Sequence, residues 1–313
     1  MTTRSFIFSV AGVCALLLAS CNRGNNTNGG RSGQPTVALV VKTLNNPFFM
    51  EMQIGAEEAA KKAGVTLVVQ AADREVDVER QMQIIENLIE RKVDALCITP
   101  SGSREIVPVI VKANQANIPV LIVDTRADEQ ALAAAGGKIA TFIGSDNYDG
   151  GKIAGKFVIE KLGGKGNVAI LEGIPGHETG DARLRGFRDA MASAPGIRVV
   201  ASQPANWERD QGFNVFQNML QANPDVNALF ACNDLMALGA TEAIAAAGRT
   251  GKIVVVGFDA QREARAAVQK GTMHATIAQF PARMGATAVE NAAKLLRGET
   301  IEAFTPVAIE LVK

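Results

Sequence analysis

An α/β protein built from two similar lobes is what this sequence predicts, and three observations predict it. From Thr36 onward, short continuous apolar runs alternate with longer amphipathic segments. Apolar strands separated by helices indicate parallel sheets covered on both faces. Two short motifs also recur at nearly equal intervals. Val93-Asp94-Ala95-Leu96-Cys97 resembles Val226-Asn227-Ala228-Leu229-Phe230, and Ile118-Pro119-Val120-Leu121-Ile122-Val123-Asp124 resembles Ile253-Val254-Val255-Val256-Gly257-Phe258-Asp259. Finally, 313 residues are enough for two cores.

Residues 1–20 read as an export signal. Arg4 supplies positive charge, Phe6 to Leu18 form an apolar run, and the small-residue stretch Leu18-Ala19-Ser20-Cys21 follows. The run falls short of the roughly 20 apolar residues that span a membrane. Leu-Ala-Ser-Cys resembles the lipobox of bacterial lipoproteins, which implies that Cys21 is acylated. Residues 21–34 then form a Gly/Asn/Ser/Thr-rich tether that cannot bury enough apolar surface to fold. Of the other cysteines, Cys14 leaves with the signal. Cys97 and Cys232 lie in apolar strand-like runs, either bridged in an oxidising compartment or, as the preferred reading, separate small core residues.

The first series of strands is Val37–Val41, Thr66–Val69, Ala95–Ile98, Val120–Val123 and Thr141–Gly144. A second comprises Val168–Leu171, Val199–Ser202, Ala228–Ala231, Ile253–Val256 and Ala275–Ile277. Helical patterns lie between them, among others at Phe49–Ala63, Asp77–Arg91, Gly150–Leu162 and Glu208–Gln221. The repeated motifs place Asp124 and Asp259 at corresponding strand ends. Ligands of open α/β sheets bind outside the carboxyl ends of strands, so two such lobes facing each other would form a cleft.

Enzyme signatures are poor. Gly150-Gly151-Lys152-Ile153-Ala154-Gly155-Lys156 matches most of a phosphate-binding loop, but Phe157 stands where Ser or Thr would hold Mg²⁺, and the glycines fall within a helical pattern. No Gly-x-Ser-x-Gly elbow occurs, and the histidines, His177 and His274, are far apart. No cysteine pair has metal-ligand spacing. Basic and acidic residues number 32 each, so no net field gathers nucleic acid or an anionic surface. No catalysis, cofactor, metal or nucleic-acid partner is expected.

What recurs at strand ends is amide, carboxylate and aromatic chemistry. Asn46, Phe48 and Phe49 follow the first strand, and Asp124 ends another. Trp207, Asn233-Asp234, Asp259 and Gln279 follow strands of the second series. Asp234 reads as a helix cap. Adjacent Phe48 and Phe49 lie about 100° apart on a helix, so both cannot face one core stripe. Planar amide and carboxylate groups can hold neighbouring hydroxyls, and an aromatic face covers the C–H surface of a sugar ring.

Several stretches resemble the periplasmic ribose-binding protein family of bacterial ABC importers. They are Leu39-Val40-Val41 with Thr43-Leu44-Asn45-Asn46-Pro47-Phe48-Phe49, Ala113-Asn114-Gln115-Ala116-Asn117-Ile118-Pro119-Val120, Gly151-Lys152-Ile153-Ala154-Gly155, Ala201-Ser202-Gln203-Pro204-Ala205, Met236-Ala237-Leu238-Gly239-Ala240 and Thr276-Ile277-Ala278-Gln279. The resemblance implies two Rossmann-like lobes, with crossings near Ser145-Asp146, Gln279-Phe280 and Pro306. It divides the chain into residues 35–144 with 280–305, and residues 145–279 with 306–313. It implies a sugar between Phe49 and Trp207 with Phe48 beside them, hydrogen-bonded by Asn46, Asp124, Asn233, Asp259 and Gln279.

The family's pattern is broken at three positions: a serine is replaced by Lys42, an arginine by Thr125, and a second arginine aligns with Asp181. The stretch Gly173-Ile174-Pro175-Gly176-His177-Glu178-Thr179-Gly180-Asp181-Ala182-Arg183 resembles a loop of glucose/galactose-binding protein, in which the residues matching His177 and Arg183 contact sugar and an acidic contact stands in place of Thr179. A hexose, polyol, cyclitol or amino sugar therefore fits as well as ribose.

The implied partners are a membrane permease with its ATPase, and a chemoreceptor. The protein is expected to be an exported monomer, held at the periplasmic side by its lipid alone. The other readings are a receptor of the same fold for a signalling molecule such as autoinducer-2, a chemotaxis sugar sensor, a sugar-acting enzyme, and the sugar-sensing core of a repressor. The last is disfavoured by the export signal.

Overall fold

The computed structural model describes residues 33–313. The expected signal, Cys14, the expected lipidation site Cys21 and nearly all of the expected tether lie outside the described residues. Among the described residues no helix is long and apolar enough to cross a membrane.

The first sheet is formed by β1 (Thr36–Thr43), β2 (Thr66–Ala72), β3 (Ala95–Ile98), β4 (Val120–Val123), β5 (Thr141–Gly144) and β11 (Phe304–Pro306), in the order β11-β5-β4-β3-β1-β2. The second contains β6 (Lys165–Glu172), β7 (Gly196–Pro204), β8 (Ala228–Ala231), β9 (Val254–Asp259), β10 (Ala275–Ala278) and β12 (Glu310–Val312), in the order β12-β10-β9-β8-β6-β7. Substituting each strand of one sheet by its counterpart gives the other, which is the duplication the repeated motifs indicate. Parallel pairing holds throughout except at the edge, where β12 runs antiparallel to β10. The sequence reading missed β11 and β12. Each is three residues long and half exposed, too short for a periodic pattern.

Central strands β3, β4, β5, β8 and β10 are buried along their whole length, as their uninterrupted apolar sequences require. Helices α1 (Pro47–Ala63) and α10 (Pro281–Leu296) pack together against the first sheet, although α10 comes from the distant end of the chain. In the second lobe α5 (Asn147–Lys161) packs on α6 (Glu178–Ala192), and α7 (Arg209–Ala222) on α8 (Asp234–Ala246). The chain crosses between sheets after β5, after β10 and between β11 and β12, so three segments join the lobes.

The glycine-rich run at Gly150–Lys156 lies inside α5. Its glycines let two helices touch through their backbones: a Cβ on Gly151 would lie 2.1 Å from the Arg183 carbonyl oxygen, and one on Gly186 would lie 1.9 Å from that of Tyr148. Cys97 and Cys232 are free and sit in separate cores, with burial pushing both thiols up to about 12. They are packing residues.

The α5–α6 contact yields a direct test. Gly186→Ala forces the helices apart and should cost about 1–3 kcal/mol, as overpacking does. An unfolding midpoint equal to that of the wild type would show that this crossing does not depend on a bare backbone.

Candidate functional site

The carboxyl ends of both sheets face one cavity. The first lobe lines it with Lys42, Asn46, Phe48, Phe49, Glu75 and Asp124; the second contributes Thr179, Arg183, Trp207, Asn233 and Asp259, with Gln279 at a crossing.

Asn46 caps α1. Its Oδ1 accepts from the Phe48 amide at 3.0 Å, its Nδ2 donates to Glu75 Oε1 at 2.9 Å, and the same Oδ1 accepts from Gln261 Nε2 of the other lobe at 3.0 Å. This cap sets the first turn of α1, which presents Phe48 and Phe49 as an edge-to-face pair with centroids 5.2 Å apart. Both rings touch the lobe's core and border the cavity, so two adjacent aromatics serve two surfaces. The Lys42 ammonium lies 5.8 Å over Phe49 and 3.8 Å from Glu75 Oε2, buried rather than in water. Burial raises the Glu75 carboxyl, against the lowering effects of Lys42 and the Asn46 hydrogen bond.

In the second lobe Arg183 is enclosed. Its Nε donates to Asn147 Oδ1 at 2.9 Å, Nη1 donates to the Cys232 carbonyl at 2.6 Å, and Nη1 stands 3.6 Å from Asp259 Oδ1. The guanidinium also covers the ring of Phe258 at 3.8 Å. Gln279 Nε2 donates to Asp259 Oδ1 at 2.6 Å, which fixes the amide and leaves Gln279 Oε1 buried with no partner. A buried acceptor without a donor costs about 1–3 kcal/mol. Asn233, not Asp234, caps α8: its Oδ1 accepts from the Met236 amide at 2.9 Å while its Nδ2 donates to the Trp207 carbonyl at 3.0 Å.

Backbone strain collects here. Asp124, Asn206, Trp207, Asp259, Ala260 and Phe280 all have positive φ, with Asp259 at 108°. Such conformations cost roughly 1–3 kcal/mol each and persist where surrounding contacts over-determine them.

Three residues expected in the site do not line the cavity. Thr125 stands behind Asp124, its hydroxyl donating to Asp124 Oδ2 at 2.9 Å. His177 stands behind Trp207, whose Nε1 donates to its Nδ1 at 3.4 Å, and it is also hydrogen-bonded to the Ser101 backbone of the other lobe. Burial, then the nearby Lys42 charge, pushes the imidazole down to about 3, so it stays neutral and able to accept. Asp181 lies half-exposed in the first turn of α6, away from the cavity, with Gly176, Glu172 and Arg185 nearby; desolvation raises its carboxyl. Glu75 and Thr179 line the cavity without having been among the expected site residues. Glu75 was missed because β2 runs on to Ala72, beyond its apolar stretch, and so carries the following loop to the carboxyl-end rim.

The chain matches the periplasmic binding protein domain family over residues 37–300. It is 41% identical to the ribose import binding protein of Escherichia coli (strain K12), over 95% of this chain and 97% of that protein. It is 40% identical to the D-allose-binding periplasmic protein of the same organism, over 81% and 82%. Among solved structures it resembles an ABC transporter periplasmic solute binding protein from Actinobacillus succinogenes 130z with bound D-allose. The TM-score is 0.85 and the identity 43%, over 90% of this chain and 98% of that one.

Burial raises the Asp259 carboxyl to about 7, with Asp124 and Glu75 adding to the rise and Arg183 and Gln279 opposing it. Between roughly pH 4 and 7 the folded chain therefore holds a proton that the unfolded chain has lost, and stability falls as pH rises through that window. In Asp259→Asn this contribution is absent. Urea unfolding without sugar should show the wild type losing stability relative to the variant from pH 4 to 7, then levelling. Parallel profiles would mean Asp259 is already ionised at pH 4.

Proposed function

The chain belongs to the periplasmic binding protein domain family, and from that premise we propose that it is the sugar-binding component of a bacterial ABC importer. It takes up a monosaccharide or related polyol between its lobes, closes by hinge motion and delivers the sugar to a membrane permease. The observation that carries this reading is the cavity itself. Both lobes build it, aromatic rings flank it, and charged pairs and amide side chains line it.

The chemistry supports a neutral, hydroxyl-rich ligand. Lys42 is paired with Glu75, and Arg183 with Asp259, so each lobe offers a donor beside an acceptor. A sugar hydroxyl both donates and accepts, and can bridge such a pair. Phe48, Phe49 and Trp207 cover the C–H faces of a ring. The two relatives at about 40% identity and the solved structure carry ribose or D-allose in their names, so an aldopentose or aldohexose of that type is the ligand class to test first.

The moving parts are residues 35–144 with 280–305 on one side and residues 145–279 with 306–313 on the other. Contacts made from both lobes favour the closed form, because a ligand shifts an equilibrium only by its differential affinity. Export by the N-terminal signal and attachment through Cys21 would place the protein beside its permease. The function needs no bond making, and the polar residues of the cavity act here as hydrogen-bond partners rather than as acid and base.

Thermal unfolding of residues 35–313 against D-ribose, D-allose, D-galactose, myo-inositol and D-glucosamine tests the reading. One compound should raise the midpoint through mass action. Trp207→Ala and Asp259→Ala should each weaken its binding by about 100-fold or more, through lost ring coverage and unpaired buried groups. Undiminished affinity in both variants would remove the sugar from this cavity.

A further inference from the structure

Asp234 is 0% exposed and is not part of the cavity lining. Its position at the start of α8 suggests a cap, but Asn233 performs that task. A carboxyl this deeply buried costs stability unless its oxygens are fully used. Asp234 Oδ2 accepts from the Gln261 amide at 2.8 Å, and Oδ1 accepts from Thr276 Oγ1 at 2.7 Å. Thr276 Oγ1 in turn accepts from the Ala260 amide at 3.1 Å. The two residues that follow Asp259 are therefore both tied to this one carboxyl, directly or through a single hydroxyl.

The segment so held is the strained turn after β9, with φ of 108° at Asp259 and 53° at Ala260. Room for the carboxyl comes from Gly257, where a Cβ would lie 2.2 Å from Asp234 Oδ1. The turn presents two side chains. Asp259 enters the cavity beside Arg183 and Gln279. Gln261, two residues on, reaches across the cleft to Asn46 Oδ1, and Asn46 borders the cavity from the opposite lobe.

We propose that Asp234 is a positioning residue that makes ligand seating and lobe closure one event, by holding Asp259 and Gln261 in a single rigid turn. A ligand that engages Asp259 steadies the turn that aims Gln261 at Asn46, and the bond across the cleft steadies Asp259 in return. The inference rests on the sugar-binding reading for its ligand, but the geometry of the turn does not depend on it.

The test is a double-mutant cycle on the full mature chain with Asp234→Asn, Gln261→Ala and the pair. Dissociation of D-allose and D-ribose is followed by stopped flow, and lobe separation by distances between spin labels, one on each lobe. Unfolding midpoints without sugar check the fold. Asp234→Asn and Gln261→Ala should each speed dissociation by about tenfold, the loss of one buried hydrogen bond, and shift the lobes toward opening. The double variant should be no worse than the more severe single one. Effects that simply add, or an Asp234→Asn variant that releases sugar like the wild type, would overturn the proposal. If Asp234→Asn does not fold, Thr276→Val replaces it in the cycle, since it cuts the tie to Ala260. Should the wild type bind neither sugar, the choice of ligand fails while the lobe distances still decide the coupling. An opening in Gln261→Ala that Asp234→Asn does not reproduce would then sink it.

Discussion

Polar groups that line a cleft between two lobes give up water for protein partners, and the surroundings of Asp259 show how the second lobe meets that constraint. Buried carboxylates are costly unless paired and hydrogen-bonded. Arg183 and Gln279 supply the partners, and Asn147 and the Cys232 carbonyl hold Arg183 where it can serve. Those requirements reach outward. Arg183 belongs to the α6 that crosses α5 at bare glycine backbone, so the guanidinium's position is set by a helix contact that admits no side chain. The carboxyl group remains only partly compensated, as its rise to about 7 indicates.

The duplicated sheets put an aspartate at the same strand end in each lobe, Asp124 after β4 and Asp259 closing β9, and both adopt positive φ. Their supports have diverged. Asp124 is steadied by the neighbouring Thr125 hydroxyl. Asp259 sits in a turn braced from two other elements, Asp234 of α8 and Thr276 of β10. The second lobe thus carries the stiffer half of the site.

Strands with both faces covered were legible because burial on both sides demands unbroken apolar sequence, as in Ala95–Ile98 and Val120–Val123. The edge strands β11 and β12 were not, since partial exposure erases that demand. Most of the polar and aromatic residues expected at strand ends line one cavity, but residue type alone does not say which way a side chain points. Position in the resembling pattern points to Thr125, His177 and Asp181, yet two stand one layer behind the cavity and the third lies outside its lining. Asp234 looked like a cap because Asn and Asp are both good caps, and only the hydrogen bonds decide between neighbours. Glu75 lay past the apolar part of its strand, where periodicity no longer marks the end.

What emerges is a site in two layers. Trp207 is held by His177 through its ring nitrogen and by Asn233 through its carbonyl; Asp124 is held by Thr125; Asp259 is held by the braced turn. Groups fixed in this way lose little freedom when a ligand arrives, and they cannot re-pair with one another if a hydroxyl is missing. Gln279 Oε1 is the plainest case, because its amide nitrogen is already committed to Asp259 and the oxygen cannot turn away. In the proposed site, discrimination between sugars would therefore reside less in the shape of the cavity than in the refusal of its lining to relax. The inner layer offers hydrogen-bonding groups to the cavity, and the outer layer holds those groups in place.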